Sequence, residues 1–177
     1  MSKNIDEWDL SALFKSIKEM DSFVASLKKR AESFEKKHNG KVSKIADINS
    51  VMREYEGICE GMARIATYSF LLFAKDTKKG AIYAKYELLI NEIQNHIIFF
   101  EVEFAKIDDK IAKNLIAKST RYKYYLSKIF AQKKHSLSKE EEKIILKLSP
   151  VGANAFSRLF DEHLSKMRFI LGDKAIN

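Results

Sequence analysis

The side chains that could carry out chemistry are few and widely spaced in this 177-residue chain. The four histidines are His38, His96, His135 and His163, and no two of them stand four residues apart, as two zinc ligands on one helix would. His96 and His163 lie beside apolar stripes, where a core histidine with a hydrogen-bond partner is commoner than a metal ligand. His38 and His135 lie near predicted helix C-termini, where an imidazole suits the helix dipole. The histidine pattern therefore predicts no catalytic, cofactor-binding or metal-binding residue.

The carboxylates and the single cysteine also have structural explanations. Glu101 and Glu103 stand two positions apart, so on a helix they point to different sides and do not form a catalytic pair. The acidic run 140–142 opens a predicted helix, where negative charge complements the dipole. Cys59 is the one cysteine, which excludes an intrachain disulfide, fits a reducing compartment and predicts packing as a small apolar side chain.

Composition predicts the fold class. With 6 glycines, 1 proline and 46% hydrophobic residues, the chain has too few turn formers for a β-sandwich or barrel. We expect one all-α domain over residues 1–177, large enough to bury a core without disulfides or metal. The N-terminus lacks the apolar segment of a signal peptide, and the longest apolar run, 70–74, is too short to span a bilayer. A soluble, cytoplasmic protein without membrane contact is expected.

Apolar spacing predicts six helices and one long hairpin. The helices run approximately over 16–39, 47–75, 78–109, 119–134, 138–148 and 149–167. Because the second and third helices are long and joined by a short break, they should form an antiparallel hairpin. After Met167 the pattern alternates briefly before the turn signal Gly172-Asp173, which indicates a helix end or a short β segment whose partner is missing.

The predicted helix ends carry recognisable capping residues. Ser16 with Glu19 and Ser138 with Glu141 have the spacing of capping boxes. Pro150 suits the first position of the last helix, since its missing N–H is not needed there.

Two further residue patterns concern how the helices pack. Gly57 and Gly61 lie on one face of the second helix, where they either let another helix approach closely or are simply tolerated. The last helix carries an apolar stripe of Phe156, Leu159, Phe160, Leu164 and Met167.

The positive charge is concentrated in one segment. Residues 111–148 hold ten Lys and Arg against three Glu, a net +7 of the total +8. Tyr122, Tyr124, Tyr125 and Phe130 are interleaved with these cations, a composition that can bind nucleic acid. A solvated helix face with its aromatics turned inward is the commoner explanation, and nucleic acid is not the expected partner. Docking of an acidic partner domain is a third reading.

Several blocks match one known family in order. They are Trp8-Asp9-Leu10-Ser11, Phe34 followed by Asn39-Gly40-Lys41, Tyr55-Glu56, Tyr68-Ser69-Phe70, 74–77, 99–103, 137–142 and 155–162. With these blocks the chain resembles the N-terminal part of the oligoendopeptidase F family, relatives of thimet oligopeptidase among the zinc metallopeptidases.

The resemblance implies the N-terminal helical lobe of a cytoplasmic enzyme that cleaves short peptides. In that family two histidines and a later glutamate hold zinc, and a further glutamate activates water. None of these residues occurs here, so zinc belongs to the parent enzyme and no catalytic or metal role is carried to any position. We expect a chain without the catalytic domain, which walls the peptide channel and has the catalytic lobe and short peptides as partners.

Two alternative functions remain open at the level of sequence. One is a nucleic-acid-binding helical module that uses residues 113–147. The other is a free-standing helical interaction protein, dimeric through an apolar face that a missing lobe would leave exposed.

Overall fold

The computed structural model of the chain describes residues 9–134, 137–171 and 174–176. Within these ranges the α-helices are α1 (Ile17–His38), α2 (Ile48–Lys75), α3 (Gly80–Ile97), α4 (Phe99–Lys106), α5 (Asp109–Lys118), α6 (Lys123–Ala131), α7 (Lys139–Leu148) and α8 (Ala153–Leu164). Short 3₁₀ turns cover Val42–Lys44, Thr77–Lys79, Gln132–Lys134 and Ser149–Val151. The predicted all-α class is confirmed. Trp8, His135, Gly172 and Asp173 lie outside the described residues.

The predicted hairpin is present as α2 and α3, which pack against each other. The connection is the short turn Thr77–Lys79, and the Asp76 side chain accepts a hydrogen bond from the Lys78 N–H at 3.1 Å. Beside the turn, Phe73 of α2 stacks on Tyr83 of α3 with ring centroids 5.5 Å apart. Helix α1 packs against both members of the hairpin, so these three helices form the frame of the fold.

Aromatic rings fill the centre of the core, where α1 meets α2 and α4. Phe34 of α1 is fully buried, and its ring centroid lies 6.0 Å from Tyr55, 5.7 Å from Phe99 and 6.0 Å from Phe100. Aromatic pairs at these separations stabilise a core beyond the area that they bury. The core is thus centred on the middle of the chain.

The third predicted helix is wrong in its extent. Instead of running over 78–109, it is interrupted at Ile98 and ends at Lys106, and α5 follows as a separate helix. The interruption lies beside Phe99 and Phe100, which are both fully buried. On a regular helix two consecutive side chains point about 100° apart, so the burial of both rings goes with a local break in the helix. The sequence analysis did not predict the start of α5. There Asp108 is the N-cap, and its carboxylate accepts hydrogen bonds from the N–H groups of Lys110 and Ile111.

Helix caps agree with the sequence in most places. Ser138 and Glu141 form the predicted capping box at the start of α7. At α1 the box is only half formed, because the Ser16 hydroxyl accepts from the Glu19 N–H at 3.2 Å, while Glu19 accepts from the Lys15 N–H at 2.7 Å rather than from Ser16. Gly40, with φ +73°, ends the first helical segment in the left-handed conformation that glycine adopts readily.

Gly61 of α2 lies in close contact with Leu27 of α1. A Cβ at this position would lie 2.7 Å from the Leu27 Cδ1 atom, which is closer than van der Waals contact allows. At Gly57 a Cβ would meet only the end of the Arg30 side chain, at 2.9 Å. Of the two explanations offered for these glycines, the close approach of another helix therefore applies to Gly61.

The C-terminal part departs from the prediction in two ways. Pro150 lies in the 3₁₀ turn Ser149–Val151, and α8 begins only at Ala153, after Gly152. The predicted β segment is strand β1 (Phe169–Leu171), and its partner is not missing, because β2 (Lys174–Ile176) pairs with it antiparallel. The register places Phe169 opposite Ile176.

Candidate functional site

Eight large apolar side chains of α7, the following turn and α8 are exposed rather than packed. Each of them is between 44% and 72% exposed, whereas the apolar side chains of α1 from Met20 to Phe34 are mostly buried. We call this surface the α7–α8 face; its residues are Ile144, Ile145, Leu148, Val151, Phe156, Leu159, Phe160 and Leu164. Since soluble proteins seldom expose large apolar side chains in clusters, such a surface indicates an interaction site.

Polar contacts hold α7 and α8 against the frame with this face turned outward. Arg158 of α8 forms an ion pair with Glu87 of α3 at 2.7 Å, and both side chains are largely buried. The Asn91 side chain of α3 donates a hydrogen bond to the Leu146 carbonyl of α7. Pro150, in the turn that joins the two helices, is buried. The inner side of this unit is thus fixed by specific contacts.

A second feature is a cleft of about 240 Å³ between α2 and the N-terminal end of α6. We call it the tyrosine cleft; its lining residues are Met52, Tyr55, Glu56, Cys59, Tyr122 and Tyr125. Position 52 to position 59 of α2 spans two turns, and the side chains at i, i+3, i+4 and i+7 share one face. The start of α6 supplies the opposite wall.

Hydroxyl groups around the tyrosine cleft point at two carboxylates. Tyr55 and Tyr125 donate to the same Glu101 oxygen, Oε1, at 2.8 and 2.6 Å. Tyr122 donates to Glu56 Oε2 at 2.7 Å, and the other oxygen of Glu56 lies 2.9 Å from an Arg121 guanidinium nitrogen. Each phenol therefore has a defined hydrogen-bond partner and orientation.

Burial keeps the neutral groups of this cleft protonated. It raises the pKa of Tyr55 and Tyr125 above the ordinary value, and the Glu101 charge acts in the same direction on Tyr55. Burial also raises the pKa of the Cys59 thiol to about 11, against the lowering effect of a hydrogen bond with Tyr55. A thiol of this kind is a poor nucleophile near neutral pH.

A family model described as Oligopeptidase F matches residues 103–169. The oligoendopeptidase F homolog of Borreliella burgdorferi is 26% identical over 151 residues, which cover 82% of this chain and 25% of that protein. The plasmid oligoendopeptidase F of Lactococcus lactis subsp. cremoris is 24% identical over 159 residues, which cover 82% of this chain and 26% of that protein. No solved structure matches.

The resemblance to oligoendopeptidase F is confirmed. The chain spans about a quarter of the length of these curated relatives. The matched segment 103–169 begins in α4 and includes α7 and α8. The α7–α8 face therefore lies inside the part of the chain that matches the oligoendopeptidase F family model.

No metal centre is formed by the residues that the structure describes. Among them, no three His, Cys, Asp or Glu side chains come together as ligands. His96 Nδ1 lies 2.7 Å from a Glu35 oxygen of α1, so His96 is half-buried and has a hydrogen-bond partner, as predicted. His163 is exposed near the end of α8, so the prediction of a satisfied core histidine is wrong for it.

Glu101 and Glu103 lie apart, as predicted from their spacing. Glu101 accepts from the two tyrosines, whereas the Glu103 carboxylate accepts from the Gly40 N–H at 2.9 Å, at the end of the first helical segment. Tyr122 was correctly predicted to point inward. Sequence reasoning missed its pairing with Glu56, because the two residues are 66 positions apart in the chain.

The basic segment follows the solvated-face interpretation in its details. Tyr122 is buried, Phe130 is half-buried, and the Tyr125 hydroxyl is used by Glu101, so of these aromatics only Tyr124 is fully turned outward. Several cations are paired within the chain, as Lys133 is with Asp109 at 2.9 Å.

Over the described residues, no helix combines the length and the apolar character needed to cross a membrane.

Proposed function

We propose that this chain is the N-terminal helical lobe of an oligoendopeptidase F-like zinc metallopeptidase of the cytoplasm. In this proposal the lobe docks on the catalytic lobe of the same enzyme through the α7–α8 face and forms one wall of a channel for short peptides. Zinc and the catalytic residues belong to the other lobe. The 177 residues form one structural unit of the enzyme and do not cleave peptides by themselves.

The observation that carries this proposal is the overlap of the family match with the α7–α8 face. Residues 103–169 match the family model, and the exposed apolar side chains from Ile144 to Leu164 fall inside that range. In a free-standing helical bundle, a cluster of exposed apolar side chains favours aggregation. A second lobe that covers the α7–α8 face would remove this tendency.

Steric exclusion is a role that needs no reactive group. A wall beside a narrow channel admits short, unfolded peptides and excludes folded proteins. The fixed frame of α1, α2 and α3 supports such a wall, since close-packed interiors resist deformation. The protonated phenols and thiol of the tyrosine cleft are consistent with a lobe that has no nucleophile of its own.

The proposal is tested on the reading frame that follows codon 177. We expect it to encode a His-Glu-x-x-His segment about two hundred residues downstream, a distance set by typical domain sizes. Expressed as a separate polypeptide, this region should bind the present chain and hydrolyse a fluorogenic peptide only in its presence. If there is no such region, or if it is fully active without the chain, the proposal is wrong.

Variants assign the binding to the α7–α8 face. The double substitution Phe156→Asp and Phe160→Asp should abolish association, because it places two charges in the centre of the apolar contact. Leu88→Asp, at an exposed apolar position of α3 outside this face, is the matched control and should bind as the wild type does. Equal binding by all three forms would show that docking does not use the α7–α8 face.

A further inference from the structure

The tyrosine cleft is separate from the α7–α8 face and has its own chemistry. It lies between α2 and α6, partly enclosed, and three of its six lining residues are tyrosines. Met52 and Cys59 add two polarisable sulfur atoms, so the walls are mainly apolar. Its volume of about 240 Å³ suits a small organic group.

Negative charge adjoins these apolar walls on two sides. Glu56 lines the cleft, and Glu101 accepts hydrogen bonds from the cleft tyrosines Tyr55 and Tyr125.

One cation of the chain already lies at the edge of the tyrosine cleft. The Arg121 guanidinium carbon lies 5.7 Å from the centroid of the Tyr122 ring, and its nitrogen is 2.9 Å from Glu56. The Arg121 side chain is 71% exposed, and an ion pair of that kind is worth little in water. Arg121 shows the geometry in which a cation meets both a ring and a carboxylate, while the interior of the cleft stays available.

We propose that the tyrosine cleft binds an alkylammonium group, either the side chain of a peptide lysine or a free quaternary amine. The phenol rings attract the cation through their π faces, the carboxylates offset its charge, and Met52 and Cys59 pack against its alkyl part. An anion is repelled by Glu56 and Glu101, and a neutral apolar group gains nothing from the two charges. The inference does not rest on the proposed peptidase lobe.

Isothermal titration of the whole chain at constant ionic strength tests the ligand chemistry. Choline chloride should bind at least tenfold more tightly than 3,3-dimethylbutan-1-ol, which has the same shape without the charge. In a parallel arm, N-acetyl-lysine methylamide should bind more tightly than its norleucine counterpart. Preference for the cation in both arms, or in one of them, supports the cleft and identifies the source of its ligand. If neither cation binds, or if each neutral analogue binds equally well, the proposal is overturned.

Three substitutions place the binding in this cleft. Glu101→Gln retains a hydrogen-bond acceptor for both tyrosines but removes the charge, and should weaken binding of the preferred cation at least fivefold. Arg121→Met removes the competing cation from an exposed position and should strengthen binding. Glu60→Gln, an exposed glutamate of α2 outside the cleft, is the control and should leave affinity unchanged. Equal affinity for wild type, Glu101→Gln and Arg121→Met overturns the assignment to this cleft.

Discussion

Helices α1 and α8 have the same kind of amphipathic sequence and opposite surroundings. The stripe of α1, from Met20 to Phe34, is buried by α2, α3 and α4, whereas the stripe of α8 is open to solvent, with Phe156 at 72% exposure. Helix α8 touches the frame through Arg158 and Glu87, a polar pair, instead of through its apolar side. An apolar stripe shows that a helix needs a cover, but it does not identify the cover.

The contrast also separates two sources of stability. In the α1–α4 region, stability comes from buried rings and close helix contact, as at Phe34 and Gly61. In the α7–α8 region the described contacts are mainly polar: the Ser138 cap, the Arg158–Glu87 ion pair and the Asn91–Leu146 hydrogen bond. The second region is therefore the one whose stability should respond to a covering partner.

Truncating a ring in each region gives the largest expected difference. Phe34→Ala should lower the free energy of unfolding by about 3–5 kcal/mol, because it opens a cavity among Tyr55, Phe99 and Phe100. Phe160→Ala should change it by no more than about 0.5 kcal/mol, since the Phe160 ring is already exposed. Urea unfolding of both variants measures the contrast, and equal losses would show that α8 is packed in solution.

Breaking the contact between the two regions should have a smaller effect. Arg158→Ala leaves Glu87, only 11% exposed, without its cation and should cost about 2 kcal/mol. Hydrogen exchange of the α8 amides should accelerate while that of the α1 amides stays unchanged. Arg121→Ala, which removes a surface ion pair of similar length, is the control and should cost below about 1 kcal/mol. Equal costs would mean that the Glu87 pair is no more important than a surface pair.

The reactivity of Cys59, which lies in α2 and lines the tyrosine cleft, tests how well the α1–α4 region excludes water. Because burial raises the pKa of its thiol to about 11, iodoacetamide at pH 8 should alkylate the folded chain at least about tenfold more slowly than the chain in urea. For the folded chain, the rate should keep rising with pH toward 11, since the thiolate forms only there. A rate that levels off near pH 9 in the folded state would contradict this.

The two glycines of α2 give the smallest effect, and its sign should differ between them. Gly61→Ala should destabilise by about 1 kcal/mol, because the new methyl group meets buried Leu27 and this cost exceeds the gain in helix propensity. Gly57→Ala should stabilise by up to about 1 kcal/mol, since the exposed Arg30 side chain can move aside. Thermal unfolding of the pair checks the sign, and destabilisation by both would place close contact along the whole α1–α2 interface.

Much of the local structure was predictable from the sequence. The all-α class, the start of the second helix near position 47 and the Ser138 box of α7 have local causes, and they appear as expected. The Asp108 cap was missed, although its residue type signals a helix start. The break at Ile98 had no local signal, because it accompanies the burial of Phe99 and Phe100 by other helices.

The tyrosine cleft lay beyond sequence reasoning for a related cause. Tyr55 and Glu101 are 46 positions apart, and Tyr122 and Glu56 are 66 positions apart. Helical periodicity predicts that Tyr122 points inward, but it does not indicate which carboxylate will accept the hydrogen bond of its hydroxyl group. The partner of each phenol depends on how α2, α4 and α6 cross.

The amino-acid sequence by itself determined the helical class, most helix ends and the similarity to oligoendopeptidase F, since backbone propensity, capping and residue order act over short distances. Tertiary structure alone decided which stripes are covered and which polar groups meet. Burial and hydrogen bonding between distant segments depend on the relative placement of whole helices, and the pattern within one helix does not specify that placement.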